Sequence, residues 1–201
     1  MYWLDLFGTF AFAVSGAMLG VRCHLDLLGA LVLATLTGVG GGIIRDALLG
    51  VTPPGAIHDE TYLLVCLAGG VLSMAYSHAV KRYWKHVMVA DAIGLAVFTV
   101  IGASQAEQHG LGPFGIVIMA TITATGGGAI RDLFVTHVPV IVRKDFYATA
   151  AILGGLCWWT MMEFSAPEEA KIVVSLALTL GLRLWAMVNK IRLPRLGFRK
   201  N

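Results

Sequence analysis

The chain has 201 residues, 57% of them hydrophobic and only 13% charged, with a formal charge of +3 and a mean hydropathy of +0.77. Soluble domains carry about 25% charged residues, so roughly half the usual solubilising charge is missing, and the apolar residues fall in long blocks with charges at their edges. That pattern argues against a soluble domain and against a nucleic-acid partner, and it predicts an all-α integral membrane protein forming a single membrane domain over 1–201.

Seven spans are expected in chain order, at about 3–21, 25–49, 61–79, 87–105, 111–134, 146–162 and 171–188. Most approach the ~20 residues that a ~30 Å hydrocarbon core demands. The first, opening MYWLDLFGTF, lacks a positive leader and carries Asp5 where a signal peptide would place lysine, so it reads as a span. The second and fifth each hold a glycine triplet followed by an Arg-Asp pair, in GVGGGIIRDALLG at 38–50 and TATGGGAIRDLF at 123–134. The connections alternate in charge. KRYWKH at 81–86, Arg143-Lys144 and the tail from 189 are basic, whereas QAEQHG at 105–110 and EFSAPEEAK at 163–171 are acidic or nearly neutral. Seven is odd, so the termini face opposite sides, and the basic loops place the C-terminus in the cytoplasm and the N-terminus outside. Trp84, Trp158, Trp159 and Trp185 fall near span ends, where amphipathic rings usually meet the lipid interface. Cys23, Cys66 and Cys157 show no CxxC spacing, and the six histidines are scattered, so neither a metal site nor a cofactor is expected. No nucleophile–base constellation is recognisable at membrane depth, and an enzyme is not expected.

The second triplet follows the first by 86 residues, and the offset holds well beyond it. Asp5 matches Asp91, Gly8 Gly94, Phe12 Phe98, and Gly16-Ala17 Gly102-Ala103. Gly29 then matches Gly115, Ala34-Thr35 Ala120-Thr121, Thr37 Thr123, Arg45-Asp46 Arg131-Asp132, Pro53 Pro139 and Asp59 Asp145. This register divides the chain into a first repeat at about 1–80 and a second at about 87–162, with a seventh helix at about 171–188 and a basic cytoplasmic tail at 189–201 outside it. Each copy contains three spans, an odd number, so the second enters the bilayer from the opposite face. Inverted repeats of this kind build pathways near the midplane of many transport proteins.

The triplets Gly40-Gly41-Gly42 and Gly126-Gly127-Gly128 lie roughly 22 Å along their helices at ~1.5 Å per residue, inside the bilayer. Each glycine costs about 1 kcal/mol of helix propensity relative to alanine. Two uses offset that cost: helices without side chains approach closely, or the helix bends or unwinds and turns freed carbonyls toward a wet path. The neighbouring charges favour the second use. Arginine or aspartate at mid-membrane costs at least ~2.5 kcal/mol on insertion scales, so such residues face a cavity or a partner. Adjacent helical residues point ~100° apart. Arg45 and Asp46 are therefore expected on different faces, and symmetry suggests cross-pairing of Arg45 with Asp132 and of Arg131 with Asp46, or arginines bonded to kink carbonyls. Thr35, Thr37, Thr121, Thr123 and Thr125 precede the triplets and offer a polar lining, against the alternative that each hydroxyl bonds back to its own helix. Gly16-x-x-x-Gly20 and Gly69-Gly70 read as packing positions. The run Gly38-x-Gly40-Gly41-Gly42 lacks the strand–turn–helix context of a dinucleotide-binding loop.

GGGIIRD and GGGAIRD on the second and fifth of seven helices, within a three-plus-three repeat, resemble the prokaryotic trimeric intracellular cation (TRIC) channel family from about Asp5 to Met187. The resemblance implies a homotrimer in the inner membrane, with membrane lipids as its other partners. It implies one hourglass pore per subunit, conducting potassium and to a lesser extent sodium, with helices kinked at Gly40, Gly41, Gly42, Gly126, Gly127 and Gly128 and with Arg45, Asp46, Arg131 and Asp132 nearby. The Lys-Glu-Val segment of animal members is absent from the second helix, so their lipid and calcium regulation does not carry over. The same bacterial domain is also described as a glycine transporter. A pore and a small-solute carrier both remain open, because inverted repeats with interrupted helices serve either.

Overall fold

Asp26 starts the second helix: its carboxylate accepts the Gly29 N–H at 2.7 Å, taking up one of the amides a helix N-terminus leaves unpaired. Gly50, at φ 73°, ends that helix in the left-handed conformation glycine adopts without strain. The computed structural model describes residues 1–75, 84–135 and 146–189, except for the side chains of 84–86. The side chains of the 81–86 segment, Arg143-Lys144, Pro139, Asp145 and the tail from 190 lie outside the described residues. Within them the structure is all-helical: α1 (Tyr2–Arg22), α2 (Leu27–Leu49), a single-turn α3 (Gly55–His58), α4 (Thr61–Ala75), α5 (Trp84–Gln108), α6 (Pro113–Phe134), α7 (Ala148–Glu163) and α8 (Glu168–Val188). Pro113, at the first turn of α6, sits where its missing N–H is not needed.

Among the described residues, five stretches are long and apolar enough to cross a membrane: Tyr2–Arg22, Leu27–Leu49, Val87–Gln108, Pro113–Phe134 and Glu168–Val188. The helices at the third and sixth expected spans, α4 and α7, have 15 and 16 described residues. The α3 turn was not foreseen; the Gly55 N–H that opens it donates to Asp46 Oδ2 at 2.9 Å. Beyond α3, half-buried Asp59 accepts from Thr61 N–H at 2.9 Å and from the Tyr2 hydroxyl at 2.7 Å. Bonds from Thr61 and Tyr2 hold its carboxyl below the usual carboxylate range.

α1, α2 and α4 pack on one another, and α5, α6 and α7 do the same. The two groups meet through α1 against α5 and α2 against α6. Phe12 and Phe98, matched in the repeat, stack at that seam with ring centroids 5.3 Å apart. Gly8 and Gly94 make room for them: a Cβ on Gly94 would strike the Phe12 ring, and one on Gly8 would lie 2.6 Å from Val97 and 3.3 Å from Phe98. The expected packing glycines behave as read. A Cβ on Gly16 would sit 2.7 Å from the Leu33 carbonyl, and one on Gly70 2.8 Å from Leu31.

α8 packs on α5 and α7. It buries a polar stripe at i, i+4 spacing, Lys171, Ser175, Thr179 and Arg183, while Val173, Val174, Leu178 and Trp185 face outward. Such an inside-out helix is suited to lipid, not water, around it. At one end of the stripe Lys171 Nζ meets Glu107 at 2.6 Å and lies 5.0 Å from the Trp158 ring, whose indole N–H also donates to Glu107. Trp158 therefore departs from its expected place at the lipid interface. It is fully buried, because Glu107 supplies the acceptor that a buried indole N–H requires. Trp185 remains half exposed, against Phe146, and Trp159 bonds Glu163 at 3.1 Å. Trp84's side chain lies outside the described residues.

Candidate functional site

Helical structure runs without interruption through both triplets. The kink expected at Gly40–Gly42 and Gly126–Gly128 thus does not take the form of an unwound segment with freed carbonyls. The missing side chains serve contact between backbones instead. A Cβ on Gly41 would collide with the Thr123 carbonyl, and one on Gly127 would collide with the Thr37 carbonyl, so the two matched helices touch reciprocally. A Cβ on Gly126 would lie 3.3 Å from Gly41 Cα, and one on Gly40 would lie 3.7 Å from Gly127 Cα, so both face the same crossing. At this contact the two backbones leave no room for an ion between them.

On either side of the crossing lies a buried ionic cluster. Arg45 donates from Nε to Asp46 Oδ1 at 2.8 Å, and its Nη2 lies 2.7 Å from the same oxygen. Asp5 of α1 stands 3.8 Å from its Nη1. Arg131 bonds Asp132 at 3.0 Å through Nε, and its Nη1 donates to Asp91 of α5 and to Ser15 of α1, each at 2.6 Å. The cross-pairing expected from symmetry is therefore replaced by pairing within each helix. Backbone positions 100° apart do not prevent it, because the three-carbon arginine stem curls back and brings its fork onto the neighbouring carboxylate. Each cluster sets two carboxylates against one guanidinium: Asp5 and Asp46 with Arg45, Asp91 and Asp132 with Arg131.

The two clusters differ. Ser15, which satisfies Arg131, has Ile101 as its repeat partner, and Arg45 Nη1 is buried with no hydrogen-bond partner. Beside it lies a cavity of about 20 Å³ lined by Asp5, Thr9, Gly42, Arg45, Tyr62 and Phe98, with room for roughly one water. Thr9 Oγ1 is a second unpartnered atom there, and its repeat partner is the apolar Leu95. In the second cluster the corresponding space is filled. A Cβ on Gly128 would lie 2.8 Å from the Tyr147 hydroxyl, whereas one on Gly42 meets nothing nearer than Arg45 Nη2 at 3.9 Å. Thr35, Thr37, Thr121 and Thr125 donate back to the carbonyls of Leu31, Leu33, Val117 and Thr121, at 2.6–3.0 Å. Thr123 Oγ1 is buried at the crossing without a partner.

A family model described as glycine transporter matches two stretches of the chain, residues 2–78 and 88–163. The chain belongs to this family. An Escherichia coli relative, the UPF0126 inner membrane protein YadS, is 39% identical over 203 residues, covering 100% of this chain and 98% of its own. Two solved structures share the fold and 37% of the sequence. One comes from work on conductance through TRIC cation channels, with a TM-score of 0.92 over 100% of this chain and 99% of that one. The other is a TRIC trimeric intracellular cation channel orthologue from Rhodobacter sphaeroides, with a TM-score of 0.90 over 94% of this chain and 98% of that one. The resemblance read from the paired GGG-x-x-RD motifs is thus shown by sequence and by fold.

Several residues of the site in this family member were not singled out in the sequence. Asp5 and Asp91 stood there as repeat matches, with no role assigned. Ser15, Tyr62 and Tyr147 carry no motif. Arg183 had a signal, a lone cation inside an apolar span, and its guanidinium lies 4.7 Å from the centroid of the Tyr147 ring.

Proposed function

We propose that the chain is a monovalent-cation channel of a prokaryotic inner membrane, passing potassium and, less readily, sodium, with one path per subunit of a homotrimer. The observation that carries this reading is the pair of matched ionic clusters flanking the α2–α6 crossing. Counted within the two repeats alone, each side sets two buried carboxylates against one guanidinium, a surplus of negative charge that the first side keeps in full and that favours cations over anions in a low-dielectric setting. The two similar solved channels support it, one described as a cation-conductance structure and the other as trimeric.

The path follows α2 and α6, and the six triplet glycines mark its narrowest point. The crossing is closed in this conformation, so conduction requires α2 and α6 to separate there; bare backbone contact without interlocked side chains is suited to that movement. The threonine carbonyls of Thr37 and Thr123 are the polar atoms that such an opening would present first. Thr35, Thr121 and Thr125 add hydroxyl lone pairs along the same helices. The chain is read as two inverted three-helix halves with α8 outside them, N-terminus outside and C-terminus cytoplasmic. The 86-residue register and the two stretches matched by one family model support that reading. Lipids surround the outward apolar belt, and neither a resident cofactor nor a nucleic-acid partner enters the scheme.

Reconstitution of the purified protein in planar bilayers under a potassium chloride gradient tests the function. The expected result is unitary currents whose reversal potential lies toward the potassium equilibrium potential, smaller when sodium replaces potassium. Saturable glycine uptake by proteoliposomes without unitary currents would establish the carrier instead. A cavity of about 20 Å³, enough for one water, leaves no preformed glycine site at the described cluster.

A further inference from the structure

The repeat makes the two clusters equivalent, yet among the described residues α8 packs on the second half, through α5 and α7. It brings one charge with it. Arg183 is 4% exposed, stacks its guanidinium 4.7 Å from the Tyr147 ring centroid, and has a buried Nε without a hydrogen-bond partner. Among the described residues the first half has no helix packed on it as α8 packs on the second. Tyr147 faces Asp91 as Tyr62 faces Asp5 in the first half, and the two sides differ in how closely the tyrosine approaches its glycine triplet. The Tyr147 hydroxyl lies 3.5 Å from Asp91 Oδ1 and fills the space beside Gly128, while the matched space beside Gly42 is the small cavity with its unpartnered Arg45 Nη1 and Thr9 Oγ1. Arg183 also alters the charge count. The first cluster keeps two carboxylates against one guanidinium, but in the second the additional guanidinium balances Asp91 and Asp132 against Arg131 and Arg183.

We propose that Arg183, carried by the helix outside the repeat, throttles cation passage through the second half of the path, by holding Tyr147 against Gly128 and by cancelling that half's surplus negative charge. The proposal rests on the channel reading and adds to it a residue that makes the two half-paths unequal. A cation entering from the first half meets a net negative, partly open vestibule, and one entering from the second meets a neutral, filled one. The current–voltage relation is therefore asymmetric by construction. Arg183 acts through Tyr147 and through its field, and its role is positioning and electrostatic.

Single-channel recording of the full chain in symmetric potassium chloride separates this from a purely structural role. Arg183→Gln is expected to raise unitary current roughly two- to fivefold for the polarity that drives cations in through the second half, in about 0.1 M salt. The gain should be smaller but still present in about 1 M salt, because a charge buried as deeply as Arg183 is screened less than an exposed one. Arg183→Lys keeps the charge and should retain most of the low current. Tyr147→Phe, which leaves the ring under Arg183 but removes the hydroxyl beside Gly128, should raise open probability and serves as the reporter if Arg183→Gln fails to assemble. Wild-type current, rectification and salt dependence in Arg183→Gln, or wild-type open probability in Tyr147→Phe where the former is not obtained, would overturn the proposal. Absence of any cation current from the wild-type protein would instead defeat the channel reading, so the two failures are distinguishable.

Discussion

Replacing Gly41 with leucine is expected to abolish potassium flux and to cost about 3 kcal/mol of stability. The first added carbon already collides with the Thr123 carbonyl of α6, a backbone atom that no rotamer change can move aside. Gly127→Leu should do the same against the Thr37 carbonyl, because the contact is reciprocal. Gly42→Ala provides the contrast. Its Cβ would meet nothing nearer than Arg45 Nη2 at 3.9 Å, the far end of a long side chain, so the fold should tolerate it within about 1 kcal/mol. Thermal melting of the detergent-solubilised protein, followed by size-exclusion fluorescence, together with potassium flux from loaded vesicles, checks all three. Normal flux in Gly41→Leu would remove the crossing from the conduction path.

The second large effect concerns the buried carboxylates. Asp91→Ala should destabilise the protein by about 3–5 kcal/mol, because it strips the buried Arg131 guanidinium of a 2.6 Å partner. Asp5→Ala removes an ion pair of 3.8 Å from an arginine whose closer partner is Asp46, and should cost less than half as much, about 1–2 kcal/mol. Unfolding in mixed micelles with increasing denaturing detergent measures both. Equal losses would mean that the two clusters are energetically alike and that the Ser15-for-Ile101 difference carries no weight.

The helical class, the position of most spans and the linked glycine–arginine–aspartate motifs were legible because each rests on a strong local signal: long apolar runs, a register kept over dozens of residues, and charges where charges are costly. The contacts of Arg45 and Arg131 were not legible. Helical wheel angles place Cβ vectors, whereas a guanidinium at the end of three methylenes reaches back across those angles. The charges adjacent to the triplets point to a wet break in the helix, yet close approach alone accounts for Gly41 and Gly127. Nearness to a span end points Trp158 to the lipid interface. Only the fold brings Glu107 and Lys171, 64 residues apart, onto its indole. Departures within the repeat, such as Thr9 against Leu95 and Ser15 against Ile101, are the places where sequence symmetry hides structural asymmetry.

A cysteine at position 42 tests most directly whether cations pass beside the glycine crossing. In a background with Cys23, Cys66 and Cys157 replaced, Gly42→Cys places a thiol in the cavity with Asp5 and Arg45. A cysteine at outward-facing Leu48, 58% exposed, serves as the control. The account predicts that a positively charged thiol reagent added during recording extinguishes current through Gly42→Cys and leaves that of Leu48→Cys unaltered. Full current through a Gly42→Cys channel whose modification is verified by mass would contradict it.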